Sequence, residues 1–72
     1  MRKELIVLGE EIKKFRKRRG FSQEKLAEIS GLHRTYISDI ERGQRNVSFL
    51  NLVKIANALG ISLCELFRGI EL

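Results

Sequence analysis

The chain has very few of the residue types that metal sites and catalytic sites need. It contains one cysteine, Cys64, one histidine, His33, and no tryptophan. A lone cysteine can form neither an internal disulfide nor a cysteine-based metal cluster. The sequence also offers no nucleophile–histidine–carboxylate set, no metal-ligand spacing and no glycine-rich phosphate loop. We therefore expect no enzymatic activity, no metal, no cofactor and no small-molecule ligand.

Long apolar runs are missing as well. No segment approaches the roughly 20 apolar residues that a membrane-spanning helix needs. The first four residues, MRKE, do not begin the apolar segment and small-residue cleavage site of a signal peptide. These absences predict a soluble, cytoplasmic protein without a membrane partner.

Proline is absent, so no sharp helix breaker interrupts the chain, and 43% of the residues are hydrophobic, which disfavours disorder. A length of 72 residues allows one domain over residues 1–72. The core of so small a domain supplies only a few kcal/mol of net stability. We therefore expect a partner subunit.

The formal net charge of +5 lies entirely in residues 1–46, which hold 12 basic and 7 acidic side chains. Residues 47–72 are neutral overall. An anionic partner is therefore expected to bind the first two thirds of the chain. The basic run between Lys13 and Arg19 has two interpretations, a region that attracts such a partner at long range or an ordinary solvated helix face.

Helical spacing of apolar residues and helix-capping residues together predict five helices and an all-α fold. The first is expected from about Glu4 to Arg19, or from near Leu8 if Gly9 lets the start fray. The second follows the N-cap Ser22 and ends at Gly31, with Leu26, Ala27 and Ile29 facing inward. The third runs from His33 to Arg42. The fourth follows Ser48 and ends at Leu59, with Phe49, Leu52, Ile55, Ala56 and Leu59 inward, and the fifth is the short segment LCELF after Ser62.

The second and third helices carry a recognisable pattern in SQEKLAEISGLHRTYISDIERG, residues 22–43. Counting from Gln23, Ala27 is fifth, Gly31 ninth, and Ile37 and Ile40 fifteenth and eighteenth. This spacing resembles the Cro/phage-repressor (XRE-type) helix-turn-helix family. The run RTYISDIERGQRNVS, residues 34–48, is further similar to the small controller proteins of restriction-modification systems.

The resemblance implies a repressor-like domain whose helix-turn-helix occupies about residues 22–42 and whose third helix enters the major groove of DNA. Its implied function is a sequence-specific transcription regulator that binds a near-palindromic operator as a homodimer. An alternative from another class is a protein-interaction module, such as an antitoxin that occludes a toxin. A gel shift with random duplexes would separate the two.

Two groups of residues are expected at the DNA. Those in the first turns of the third helix could reach base edges: Arg34, Thr35, Ser38 and Asp39. Those around it could contact the phosphate backbone: Gln23, Tyr36, Arg42, Arg45, Asn46 and Ser48. Three alternatives stay open. Asp39 could instead pair with Arg42, the Tyr36 ring could stack on the core, and Arg45 could enter the minor groove.

The resemblance also implies an ion pair between Arg16 and Glu41, because the family pairs an arginine at this position with the glutamate of the ERG motif. Glu41 lies on the inward side of its helix, where an unpaired carboxylate would be costly. The last predicted region, residues 59–72, has more apolar side chains than one short helix can bury. We expect part of it to form a dimer interface: Ile61, Leu63, Phe67 and Ile70.

Overall fold

The protein is described by a computed structural model that covers residues 2–72. Over these residues the chain forms five α-helices and no strand, as the sequence predicted. Their bounds are α1 Lys3–Arg18, α2 Gln23–Ser30, α3 Arg34–Glu41, α4 Phe49–Leu59 and α5 Leu63–Arg68.

Local capping chemistry sets the starts of three helices. The hydroxyls of Ser22, Ser48 and Ser62 each accept a hydrogen bond from a backbone N–H in the first turn of the helix that follows. At the other end of α2, Gly31 adopts a left-handed conformation with φ of 74°. A residue with a β-carbon would be strained there. The left-handed glycine reverses the chain at once, and only Leu32 and His33 separate it from the start of α3.

The core is enclosed by all five helices: α3 packs on α1 and α2, α4 packs on α2 and α5, and α5 packs on α1. Its largest fully buried side chains come from every helix: Ile12, Leu26, Ile37, Ile40, Ile55, Leu59 and Leu66. Both isoleucines of the spacing pattern, Ile37 and Ile40 of α3, are buried in this core. They fix this helix against the core and leave its opposite face outside.

The first helix begins earlier than one of the two predicted starts. It already includes Lys3, so the start near Leu8 is wrong, and Gly9 lies well inside the helix. Gly9 is buried against the end of α3. A β-carbon there would overlap the carbonyl oxygen of Ile40 and lie 2.9 Å from that of Glu41. The glycine therefore permits a close approach of two helices, which compensates for its low helix propensity.

Two residues predicted to face inward are exposed. Ile29 has 45% of its surface exposed, because the buried face of α2 is formed by Leu26, Ala27 and Ser30. At 100° per residue, Ile29 lies about 60° to the other side of Leu26. Phe49 has 66% of its surface exposed. It lies in the first turn of α4, about 20° beyond the edge of the buried arc that ends at Ala56.

Candidate nucleic-acid interface

The third helix turns a polar face to solvent. Arg34 and Thr35 in its first turn are exposed, and their side chains form no hydrogen bond with any residue between 2 and 72. Ser38 and Asp39, one turn later, are partly exposed. The four predicted base-reading residues therefore lie on the accessible part of one helix. Base edges in a major groove are read by side chains with such an arrangement.

A buried ion pair anchors the end of this helix. Arg16 Nε donates to Glu41 Oε2 at 2.6 Å and Arg16 Nη2 donates to Glu41 Oε1 at 3.0 Å. The side chains are only 10% and 2% exposed. Arg16 Nη1 also donates to the carbonyl of Phe21 at 2.7 Å. The pair implied by the resemblance is thus present, and it ties α1 and the α1–α2 turn to the last residue of α3.

Gln23, predicted to contact the DNA backbone, takes part in this anchor. Its Nε2 donates to Glu41 Oε1 at 3.1 Å, and the residue is half-buried. One N–H of its amide group is therefore used within the protein. The predicted phosphate contact of Gln23 stays a prediction.

A charged network covers the C-terminal half of the same helix. Asp39 binds Arg42 through Oδ1 at 2.7 Å and Arg45 through Oδ2 at 3.3 Å. Arg42 also donates to the Ser38 hydroxyl at 2.8 Å and to Gln44 Oε1 at 3.3 Å. The alternative in which Asp39 pairs with Arg42 is therefore observed, and Asp39 pairs with Arg45 as well. One carboxylate holds two arginines on the side expected to meet DNA.

Tyr36 takes one of the two roles that the sequence left open, packing on the core, while its phosphate contact stays a prediction. Its ring is half-buried and packs on the core, while its hydroxyl accepts a hydrogen bond from Asn51 Nδ2 at 2.9 Å. The guanidinium carbon of Arg45 lies 5.1 Å from the ring centroid, within the range of a cation–π interaction. Sequence reasoning missed Asn51, because nothing in its neighbourhood along the chain links it to a tyrosine 15 residues earlier.

An open cavity of about 340 Å³ lies beside Tyr36, between the start of α3 and the start of α4. The cavity is lined by both polar and apolar residues: Gly31, Leu32, His33, Thr35, Tyr36, Arg45 and Asn51. The remaining predicted backbone contacts, Asn46 and Ser48, are exposed in the adjoining segment. The oxygen of Ser48 is used as the N-cap of α4, where it accepts from the N–H of Asn51 at 3.2 Å.

The four residues predicted at a dimer interface differ in exposure. Phe67 is 42% exposed, whereas Ile61, Leu63 and Ile70 are only partly accessible, and the first two pack against the core. Larger apolar groups are exposed elsewhere. Phe49 and Leu50, at the start of α4, are 66% and 71% exposed. The sequence pattern placed Phe49 inside and did not single out Leu50.

Other kinds of site find little support in the described chain. Among residues 2–72, no three histidine, cysteine, aspartate or glutamate side chains lie close enough to hold one metal ion. None of the five helices is long and apolar enough to cross a membrane.

Comparison with known proteins agrees with this geometry. Residues 12–66 match the helix-turn-helix family. The control protein C.MunI of a Mycoplasma species is 52% identical over 67 residues, which cover 92% of this chain and 90% of that protein.

Solved structures show the same fold. The restriction-modification controller protein C.AhdI of Aeromonas hydrophila is 49% identical, with a TM-score of 0.86 over 88% of this chain and 96% of that one. The controller protein C.Esp1396I, solved as a tetramer with its natural 35 base-pair operator, is 40% identical, with a TM-score of 0.89 over 94% and 90% of the two chains. The chain belongs to the helix-turn-helix family of DNA-binding transcription regulators.

Proposed function

We propose that this protein is the controller of a restriction-modification system, a homodimer that binds a near-palindromic operator and regulates transcription without catalysing a reaction. The observation that carries the proposal is the exposed polar face of α3, held rigidly by a buried ion pair at the end of the helix. The similarity to two control proteins at about half identity supports the choice of system.

The exposed side chains fall into two proposed groups, those that contact base edges and those that contact the phosphate backbone. Arg34 is free to place its two-pronged guanidinium on the O6 and N7 atoms of a guanine, and Thr35 to contact a thymine methyl group. We assign Ser38 to the same surface. Asp39 pairs with two arginines, so we assign it to restraining Arg42 and Arg45 before DNA binds. A carboxylate used in this way neutralises part of their charge until DNA arrives.

The phosphate contacts are assigned to the rim of this surface. Arg42, Arg45, Asn46 and the N-terminal turn of α4 after Ser48 lie next to one another along the chain. Basic side chains and unpaired helix N–H groups both attract phosphate oxygens. We assign Tyr36, which contacts Arg45, and Gln23, which is linked to the anchor of α3, to the same group.

The partner subunit is proposed to cover exposed apolar surface. Exposed large apolar side chains include Phe67 and Leu72 in the predicted region and the pair Phe49 and Leu50 at the start of α4. A twofold dimer would present two copies of α3 about 34 Å apart, one turn of B-DNA, and so require a near-palindromic site. The controller protein solved with its operator is itself an assembly of several copies.

The test begins with selection of binding sites from random duplexes. Parent, Arg34→Ala and Arg45→Ala proteins are then titrated against the selected operator and a scrambled duplex at several salt concentrations. A bidentate contact to guanine contributes about 1–3 kcal/mol of discrimination, so Arg34→Ala should lower the ratio of operator to scramble affinity. Lys54→Ala is the control, because it removes an exposed basic side chain of α4 that is not among the predicted DNA contacts.

Arg45→Ala should weaken both duplexes to similar degrees. It should also make the dependence of log affinity on log salt shallower by about one unit for each phosphate interaction that the substitution removes, which is doubled in a dimer. If Arg45→Ala collapses the affinity ratio while Arg34→Ala leaves it unchanged, the two roles are reversed and Arg45 reads the minor groove. If the selection yields no preferred sequence, a protein-interaction role is favoured over operator binding.

The same proposal places the protein in the cytoplasm, where bacterial operators lie. It also excludes a chemical step, since regulation of this kind needs only binding. Purified protein incubated with its operator should therefore leave the duplex unmodified and uncut.

A further inference from the structure

The hydroxyl of Tyr36 has one lone pair occupied and its proton unused. Asn51 Nδ2 donates to it at 2.9 Å, so the phenol oxygen acts as the acceptor in that bond. Among residues 2–72, no oxygen or nitrogen accepts a hydrogen bond from this hydroxyl. A phenol group has a single O–H donor. That donor is therefore left for a group outside the protein.

The Tyr36 ring is contacted on two sides. One side packs on the core, and Arg45 lies over the ring at 5.1 Å from its centroid. Asn51 is in turn placed by the start of α4, where its N–H is bonded to the capping Ser48. Both sides of the hydrogen bond thus come from ordered helices, α3 and α4.

Tyr36 and Asn51 line one open cavity together with Thr35 and Arg45. The latter two are exposed, and the nearby Asn46 and Ser48 carry no negative charge. A phosphate oxygen is the acceptor that suits this neutral-to-positive surface. Asp39, the nearest carboxylate on the helix, is occupied by two arginines.

We propose that Asn51 is a positioning residue that makes the Tyr36 hydroxyl an obligatory donor to a DNA phosphate. This inference rests on the proposed function, because it needs DNA bound at α3. By filling the acceptor side of the phenol, Asn51 leaves only one useful orientation for its proton. The tyrosine then meets DNA already oriented, which reduces the entropy lost on binding.

A double-mutant cycle tests the coupling. Parent, Asn51→Ala, Tyr36→Phe and the double variant are titrated against the selected operator and a scrambled duplex. A hydrogen bond to a charged acceptor is strong, so Tyr36→Phe should weaken binding of both duplexes by about tenfold or more. Asn51→Ala should weaken it by about threefold to tenfold. In the Tyr36→Phe background the same substitution should cost less than about twofold.

Two further readouts separate positioning from general structure. Neither variant should change the slope of log affinity against log salt, because a neutral hydroxyl displaces no counterion. Asn57→Ala, an exposed asparagine near the other end of α4, is the matched control and should leave affinity unchanged. If Asn51→Ala melts more than about 5 °C below the parent, Asn51→Ser takes its place in the cycle.

Equal losses from Asn51→Ala in both backgrounds would mean that Asn51 contacts DNA or supports the fold directly, and would overturn the inference. So would no loss at all in the parent background. A loss from Tyr36→Phe that is confined to the operator would overturn the assignment to phosphate. If the parent itself binds no duplex, the proposed function is wrong and this inference falls with it, which is distinguishable from failure of the cycle alone.

Discussion

Removing either partner of the buried pair Arg16 and Glu41 should lower the free energy of unfolding by several kcal/mol. Their side chains are 10% and 2% exposed and share two hydrogen bonds of 2.6 and 3.0 Å. Arg16→Met keeps the length of the apolar stem but leaves Glu41 with Gln23 as its one side-chain donor among residues 2–72. Glu41→Leu leaves a guanidinium whose remaining partner is the carbonyl of Phe21.

A buried charged side chain that has lost its partner lowers the free energy of unfolding by about 3–5 kcal/mol. At 0.05–0.15 kcal/mol per residue, a chain of this length has a total free energy of unfolding of about 4–11 kcal/mol. Each single substitution should therefore remove a large share of it. For a domain of this size, a loss of about 3 kcal/mol lowers the Tm by roughly 12–24 °C.

The double variant Arg16→Met/Glu41→Leu replaces both charges with apolar groups. It should be more stable than either single variant, because no charge is then left buried alone. Thermal melts followed by circular dichroism measure all four proteins. The exposed pair of Lys25 and Glu28, 3.2 Å apart, provides the control. Glu28→Gln should change stability by less than about 0.5 kcal/mol.

Two results would refute this reasoning. One is a Tm for both single variants within about 1 °C of the parent. The other is a double variant whose loss equals the sum of the two single losses, which would mean that the two side chains act independently.

Three other predictions concern packing, charge and assembly. Gly9→Ala should lower the Tm by the equivalent of about 1–3 kcal/mol, because its methyl group meets the backbone of α3, whereas helix propensity alone would raise it. Asp39→Asn should tighten binding to operator and scrambled duplex alike in gel shifts, because it removes the carboxylate that holds Arg42 and Arg45; a fall in the affinity ratio would show instead that Asp39 reads a base. Leu50→Ser and Phe67→Ala should each shift sedimentation toward monomer and lower the Tm, because a dissociated subunit loses the stability that its partner contributes, and a dimer that persists in both variants would contradict the proposed interface.

Helix starts and stops could be predicted because their signals are local. Ser22, Ser48 and Ser62 are good caps in any context, and Gly31 is favoured wherever a helix ends in a left-handed residue. The partner of Arg16 could be named only through the family resemblance. A spacing of 25 residues along the chain carries no physical signal that these two side chains meet.

The inward faces of the short helices were harder to predict. An eight-residue helix such as α2 makes about two turns, so a buried stripe inferred from its sequence can be displaced by one residue in either direction. The prediction for Ile29 was wrong for this reason, whereas Phe49 lies in the first turn of α4, just outside its buried arc. From the sequence, Gly9 is only a residue of low helix propensity within α1. Its role in the packing is apparent only once α3 is in place, because a β-carbon at Gly9 would overlap the backbone of α3. Asn51 and Tyr36 pose the same difficulty, because their contact exists only once α3 and α4 are packed.

The recognition helix itself shows why stability and DNA specificity can be changed separately in this fold. With eight residues, α3 is shorter than the roughly 12–15 that an isolated helix needs, so its orientation depends on tertiary anchors. Those anchors are Ile37 and Ile40 in the core and Glu41 on Arg16. Arg34 and Thr35 contribute to none of them. Replacing these two residues should therefore alter which operator is bound while the melting temperature stays close to that of the parent.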